Sequence, residues 1–283
     1  MKINFRFIVL STAFLLCFST FAFSQKLIKR TDYKTETFEL GAGGTISIIG
    51  APEGSVSIEG WAKNEVEVSA EIEKQAPTEA DLSKLADVNG VVFDIEREHL
   101  RIISVGTHDK EYLKRVNKNF PKNLIGMPFK VNLKLKVPKY CDIDVNGGNG
   151  DFTISGVDGM MQIKYLNSNA KIELIGGAIS ATFGAGMVDV AIPTRNWRGR
   201  FAEIQLAKGT MNVQLPFSLN AEVNANILRT GKIENTFTEL KPKTKGNSFT
   251  DKSISAKAGN GGVSINFTVA DGDLNISQYK KPE

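Results

Sequence analysis

Residues Asn146–Gly156 read NGGNGDFTISG, a Gly/Asn-rich turn followed by a short strand of alternating character. Close variants recur downstream. They are LNSNAKIELIGG at 166–177, FGAGMVDVAIP at 183–193, LAKGTMNVQLP at 206–216 and GNGGVSINFTVADGDLNIS at 259–277. Taking Asp151, Ala170, Met187 and Thr210 as the leads of comparable strands gives spacings of 19, 17 and 23 residues. A strand and a small-residue turn at a near-constant period are the signature of stacked repeats. One short strand cannot bury its apolar face alone, but successive strands stacked on one another build a continuous core. The sequence thus predicts an all-β chain, a β-solenoid or stacked β-roll of short strands. NGGNGD is then a corner between strands, with small residues so that neighbouring corners can approach.

Upstream, Thr45–Ile49, Ser55–Glu59 and Glu65–Glu73 alternate polar and apolar residues with period two, as half-buried strands do. A single short helix is expected near 78–88. Thr78 caps it, Glu79 and Asp81 lie in its first turn, Leu82, Leu85 and Val88 share a face, and Asn89-Gly90 stops it. GVVFDIE and HLRIISV form a strand pair around Arg97-Glu98. Residues 106–127 are polar and basic and read as a long exposed loop, with one helical turn at 110–116. In PFKVNLKLKVP, at 128–138, Lys130, Lys134 and Lys136 share the outer side.

The N-terminus carries a positive Lys2 and Arg6, an apolar run from Phe7 to Phe18, and Ala22-Phe23-Ser24 with small residues at −3 and −1. This is a secretory signal cut before Gln25. The expected organisation is a signal peptide at 1–24 and a single elongated β domain at 25–283. That domain comprises N-terminal strands, helix and loop at 25–137, and the repeats at 138–283. Removing the signal takes 2 of 35 bases and no acid, leaving 33 against 31, a charge of +2 that gives no case for nucleic acid. Cys141 is then the only cysteine, so no internal disulfide is available.

The segments GSVSIEGWAKNEVEVSAEI, GNGDFTISGVDG, MVDVAIP and GNGGVSINFTVADGDLNIS together resemble the bacterial putative-adhesin family of exported β-strand-repeat proteins. The resemblance covers most of residues 37–277. It implies a solenoid-like fold and a cell-envelope role, and it supplies no catalytic or binding residues. Residues 106–127 and RNWRGRF at 195–201 depart from the family pattern as insertions.

No constellation of residues argues for chemistry. His99 and His108 read as surface residues, and Ser104 and Asp109 have no nucleophile-elbow frame around them. Cys141 reads as a small buried hydrophobe. The pairs Asp142/Asp144 and Asp271/Asp273 could serve glycoside hydrolysis only across a scissile bond, and fit turn chemistry better. GGNGD lacks the spacer of the calcium nonapeptide and is not in tandem. The sequence therefore points to a non-enzymatic, cofactor-free exported module of the cell envelope, in the periplasm, on the cell surface or outside the cell. Its expected contact surface is Lys130, Lys134, Lys136, Trp197 and Arg198. An anionic glycan, lipid head groups or another envelope protein would be the partner. Two alternatives stay open: a polysaccharide-active enzyme on a β-helix, and an accessory or regulatory protein of a membrane complex.

Overall fold

The computed structural model describes residues 26–193, 197–244 and 248–280. The signal segment at 1–24 and Arg195 lie outside the described residues. The chain is all-β, with its strands joined in a 17-stranded sheet. Those that matter below are β1 (Ile28–Glu39), β2 (Thr45–Ile49), β3 (Val56–Trp61), β4 (Glu65–Ala76), β5 (Gly90–Glu96), β6 (His99–Val105) and β7 (Phe129–Pro138). They continue with β8 (Asp142–Asn146), β9 (Phe152–Ser155), β10 (Met160–Glu173), β11 (Ala178–Ala191) and β12 (Phe201–Leu215). The last are β13 (Ala221–Thr230), β14 (Ile233–Asn235), β15 (Lys241–Pro242), β16 (Ser253–Ala258) and β17 (Val263–Gln278).

The repeats stack in parallel and in register. Ile143 lies beside Met161 and Met160 beside Ala178, a step of 18 residues each time. Ala178 lies beside Phe201, a step of 23. The five extra residues fall in the connection between β11 and β12, which contains Trp197. Each repeat has two strand segments with a corner between them, and the inward residues of both segments join one hydrophobic cluster. Ile154, Ile172, Val190 and Val213 are register neighbours, each at most 2% exposed, as the alternation predicts. Burying each such side chain stabilises the fold by roughly 1.5–3 kcal/mol.

The stack does not follow chain order. β2 lies between β6 and β8, and β3 between β7 and β9. The C-terminal β17 inserts between β12 and β13, and its far end pairs with β14. Antiparallel strands flank the parallel part: β4 with β1 and β7, β5 with β6, and β16 with β13 and β15. The two-residue turn Arg97-Glu98 joins β5 to β6, with Arg97 in the left-handed region at φ 54°.

NGGNGD is the corner that the repeats require. A Cβ on Gly150 would sit 2.0 Å from the carbonyl oxygen of Gly54, and one on Gly209 1.8 Å from that of Gly186. Successive corners are in backbone contact, which only glycine at positive φ permits. The lead assigned to the second repeat needs correction by one residue. Ala170 pairs with Phe152 and is buried, whereas Asn169 pairs with Met187 and bonds the Asp151 side chain. A small apolar residue fits either face, so alternation alone did not fix the phase.

Two further expectations change. The first helix, α1 (Glu79–Ala86), has the predicted Thr78 cap, whose hydroxyl accepts from the Asp81 N–H at 3.1 Å. It ends at Asp87, because Asn89 is buried and its side chain accepts from the Thr107 N–H. Residues 106–127 carry the expected helical turn at 110–116 and stay mostly exposed, but they are not a bare loop. They form α2 (Lys110–Val116) and a 3-10 turn at Lys122–Leu124. Leu113, Phe120 and Leu124 pack with Leu82, Leu85 and Val88 in a second, smaller core. The lysines and arginine that made this stretch look like solvent occupy the other sides of its turns.

Candidate binding face

Every second residue of the stacked strands points outward, so the parallel register turns single polar residues into rows. One row runs Thr153, Lys171, Asp189, Asn212 and Asn275 across β9, β10, β11, β12 and β17. It extends through Ser57 to Lys134 on one side and to Glu234 on the other. A second row runs Glu173, Ala191, Gln214 and Ser277. Neighbouring rungs are about 4.8 Å apart, the strand spacing. Together the rows line a groove of about 580 Å³.

Hydrogen bonds fix the central amides. Asn275 donates Nδ2 to Oδ1 of Asn212 at 2.9 Å, and Asn212 donates Nδ2 to Oδ1 of Asp189 at 2.8 Å. Each amide has two donors and two acceptor lone pairs, so each keeps hydrogen-bonding capacity for a ligand. Their orientation is already set, which lowers the ordering cost of binding. Lys171 has Asp189 beside it on β11 and Glu173 two residues on along its own strand, so the groove lining sets one base against two acids and carries little net charge.

The expected contact residues do not form one basic surface. Lys134 belongs to the polar row described above. Lys136 is 3.7 Å from Glu67 and has Glu59 as its other neighbour. Lys130 lies opposite Glu73, whose carboxyl is held below its ordinary range, chiefly by hydrogen bonds from Lys29 and Gln75, with Lys130 adding to the effect. Glu67 and Glu73 come from β4, about sixty residues earlier in the chain, and Glu59 from β3, so the lysine pattern of β7 gave no sign of them. Arg198 is exposed, but Trp197 is buried at 3% exposure in the main core. It is not a surface contact. Its ring lies against Gly199, where a Cβ would come within 1.9 Å of it, and so closes the longer connection over the core.

Most candidate catalytic groups are tied to structural partners. Asp142 accepts from the Met160 N–H at 2.7 Å, Asp271 from the Thr230 hydroxyl and Arg229, and Asp273 from the Lys232 N–H. Asp109 caps α2, accepting from the N–H groups of Glu111 and Tyr112. Ser104 is buried. Burial pushes the Cys141 thiol up to about 12; His108 remains exposed on one side, and partial desolvation where it stacks on Phe129 lowers it below the usual histidine range. The sequence missed one pairing: the Ser47 hydroxyl is 2.8 Å from His99 Nε2, beside Asp142 and Asp144 in a shallow depression. A Ser–His pair is the start of a nucleophilic site. No side-chain hydrogen bond to His99 Nδ1 is present among the described residues. No group of three or more His, Cys, Asp or Glu side chains that could hold a metal ion occurs among the described residues.

The fold and this face define an all-β protein of in-register repeats with ordered polar rows on its outer side. No protein-family profile and no curated protein sequence matches the chain. Among solved structures it is similar to a putative cell adhesion protein from Clostridium sporogenes, at 14% identity over 88% of this chain and 100% of that one, TM-score 0.46. It is also similar to a putative adhesin from Bacteroides fragilis, at 13% identity over 88% and 97%, TM-score 0.33. A putative lipid binding protein from Parabacteroides distasonis matches at 11% identity over 88% and 97%, TM-score 0.21. No helix among the described residues is long and apolar enough to cross a membrane.

Proposed function

We propose that the chain is an exported, non-enzymatic β-solenoid of the cell envelope that binds glycan along its outer polar rows. The observation that carries this is the amide ladder Asn275–Asn212–Asp189 set within the groove. Preset donors and acceptors at regular steps suit a chain of hydroxyl groups, and the near-balance of charge favours a neutral or weakly charged polymer. The 18-residue register steps, and the common core of both strand segments, support the solenoid. Export rests on residues 1–24, followed by one domain from 25 to 283. Protein from the envelope fraction should begin at Gln25 on N-terminal sequencing, and an intact Met1 there would remove the signal peptide from the proposal.

The binding test is an array of neutral and acidic glycans probed with the parent chain and with Asn212→Leu and Asn275→Leu. The parent should retain glycan, and each variant should lose at least tenfold in affinity while keeping its circular dichroism spectrum. Release of reducing ends from a bound polysaccharide would instead favour the hydrolytic alternative. Binding that survives both substitutions would place the contact elsewhere.

A further inference from the structure

β1 is paired on one side only. Its residues run antiparallel to β4, and no other strand pairing of β1 occurs among the described residues. An unpaired edge offers a row of free N–H and C=O groups to another chain. Near its middle stands Tyr33, 77% exposed, more than any other large hydrophobic residue among the described residues.

We propose that this edge pairs antiparallel with the same edge of a second copy of the chain, the two-fold axis passing through Tyr33. The backbone limits the possible registers. In an antiparallel pair alternate residues direct both N–H and C=O to one side, and the residues between them to the other. Since β4 already occupies one side, the free groups belong to alternate residues. Two β1 strands can therefore match only where the numbers of facing residues sum to an even value.

Charge selects among those registers. At a sum of 66, Arg30 faces Glu36 and Asp32 faces Lys34, each twice by symmetry, while Ile28 faces Phe38 and Thr31 faces Thr35. At 64, Asp32 meets Asp32 and Arg30 meets Lys34; at 68, Lys34 meets Lys34 and Asp32 meets Glu36. Like charges directly opposite are unfavourable and opposite charges favourable. Sums of 62 and 70 also set opposite charges together, Arg30 with Asp32 and Lys34 with Glu36, but over a shorter overlap and with half as many such pairs, so the edge charges favour the register at 66. Symmetry doubles each contact, as in any two-fold interface between identical patches.

The test is sedimentation velocity on the chain beginning at Gln25, over a range of concentrations. The parent should dimerise. Arg30→Glu alone and Glu36→Arg alone should each raise the dimer dissociation constant at least tenfold, and the two together should restore it. Tyr33→Cys should form an intermolecular disulfide at the axis, because facing residues of an antiparallel pair lie within disulfide reach. The parent beginning at Gln25, with the buried Cys141 as its thiol, should not. A parent that stays monomeric at its highest soluble concentration overturns the proposal. So does a dimer indifferent to the single reversals, or one that the charge swap fails to restore. Where a reversal disturbs folding by circular dichroism, the Tyr33→Cys cross-link decides, and its absence also overturns the proposal.

Discussion

At the scale of single residues, close approach and burial set the sharpest constraints. Gly209 has φ +136°, and a Cβ there would meet the carbonyl of the corner beside it. Gly209→Ala should cost about 2–4 kcal/mol, since backbone strain and displacement add. Gly90 has open space and no positive φ, so Gly90→Ala should stay within about 0.5 kcal/mol; chemical denaturation measures both. Lys74 is the other exacting residue. It occupies a buried position of β4 at 3% exposure, and its ammonium bonds Asp32 at 2.5 Å. That hydrogen bond, above all, holds the Asp32 carboxyl below the ordinary aspartate range. A lowered folded pKa adds stability above the unfolded value of about 3.9, and that stability is lost as pH falls through the folded value. Asp32→Asn should remove it, at about 1–2 kcal/mol, the full cost of a broken buried pair being discounted because 35% of the Asp32 side chain remains exposed. Stability measured from pH 6 down to about pH 2 should therefore fall less steeply for Asp32→Asn than for the parent.

At the scale of elements, legibility followed the range of the interactions. The alternation of β4 and β7, the Thr78 cap and the Arg97-Glu98 turn are local, and each stands where the sequence put it. The inward set Ile154, Ile172, Val190 and Val213 was also legible, because its alternation survives in every repeat. What failed depended on partners distant in sequence. The lysines of β7 looked basic until β4 brought Glu67 and Glu73 across from them. The aromatic residue of RNWRGRF looked like a contact residue until the core beneath it drew Trp197 in. The amide rows were invisible because each strand contributes a single polar residue. In 106–127 the helical turn at 110–116 was legible, but the small core was not, because Leu113, Phe120 and Leu124 are spaced too widely to show one face. That helical insert has its own core, so Phe120→Ala should loosen it locally. Hydrogen exchange should show lost protection at 79–86 and 110–116, and unchanged protection at 160–173.

At the scale of the whole molecule, the stack is closed by contacts between segments far apart in sequence. β12 and β17 pair along 14 residues although 63 positions separate Phe201 from Ser264. Such topology slows folding, because loop closure precedes any gain from the contact. The polar rows depend on it too: Asn275 comes from β17, and without that strand the ladder would end at Asn212.

The place of β17 also gives the chain a direction in time. A polypeptide that emerges N-terminus first, from a ribosome or a translocation channel, presents β12 and β13 with the edges that β17 will fill still open. Neither edge can be satisfied until β17 arrives, so a chain interrupted before it is a sticky one. A product ending before Val263 should aggregate or be degraded rather than persist as a shorter stack, which pulse-labelling of such a truncation would reveal. β17 therefore acts as the keystone of the stack: with it in place the open edges of both β12 and β13 are paired.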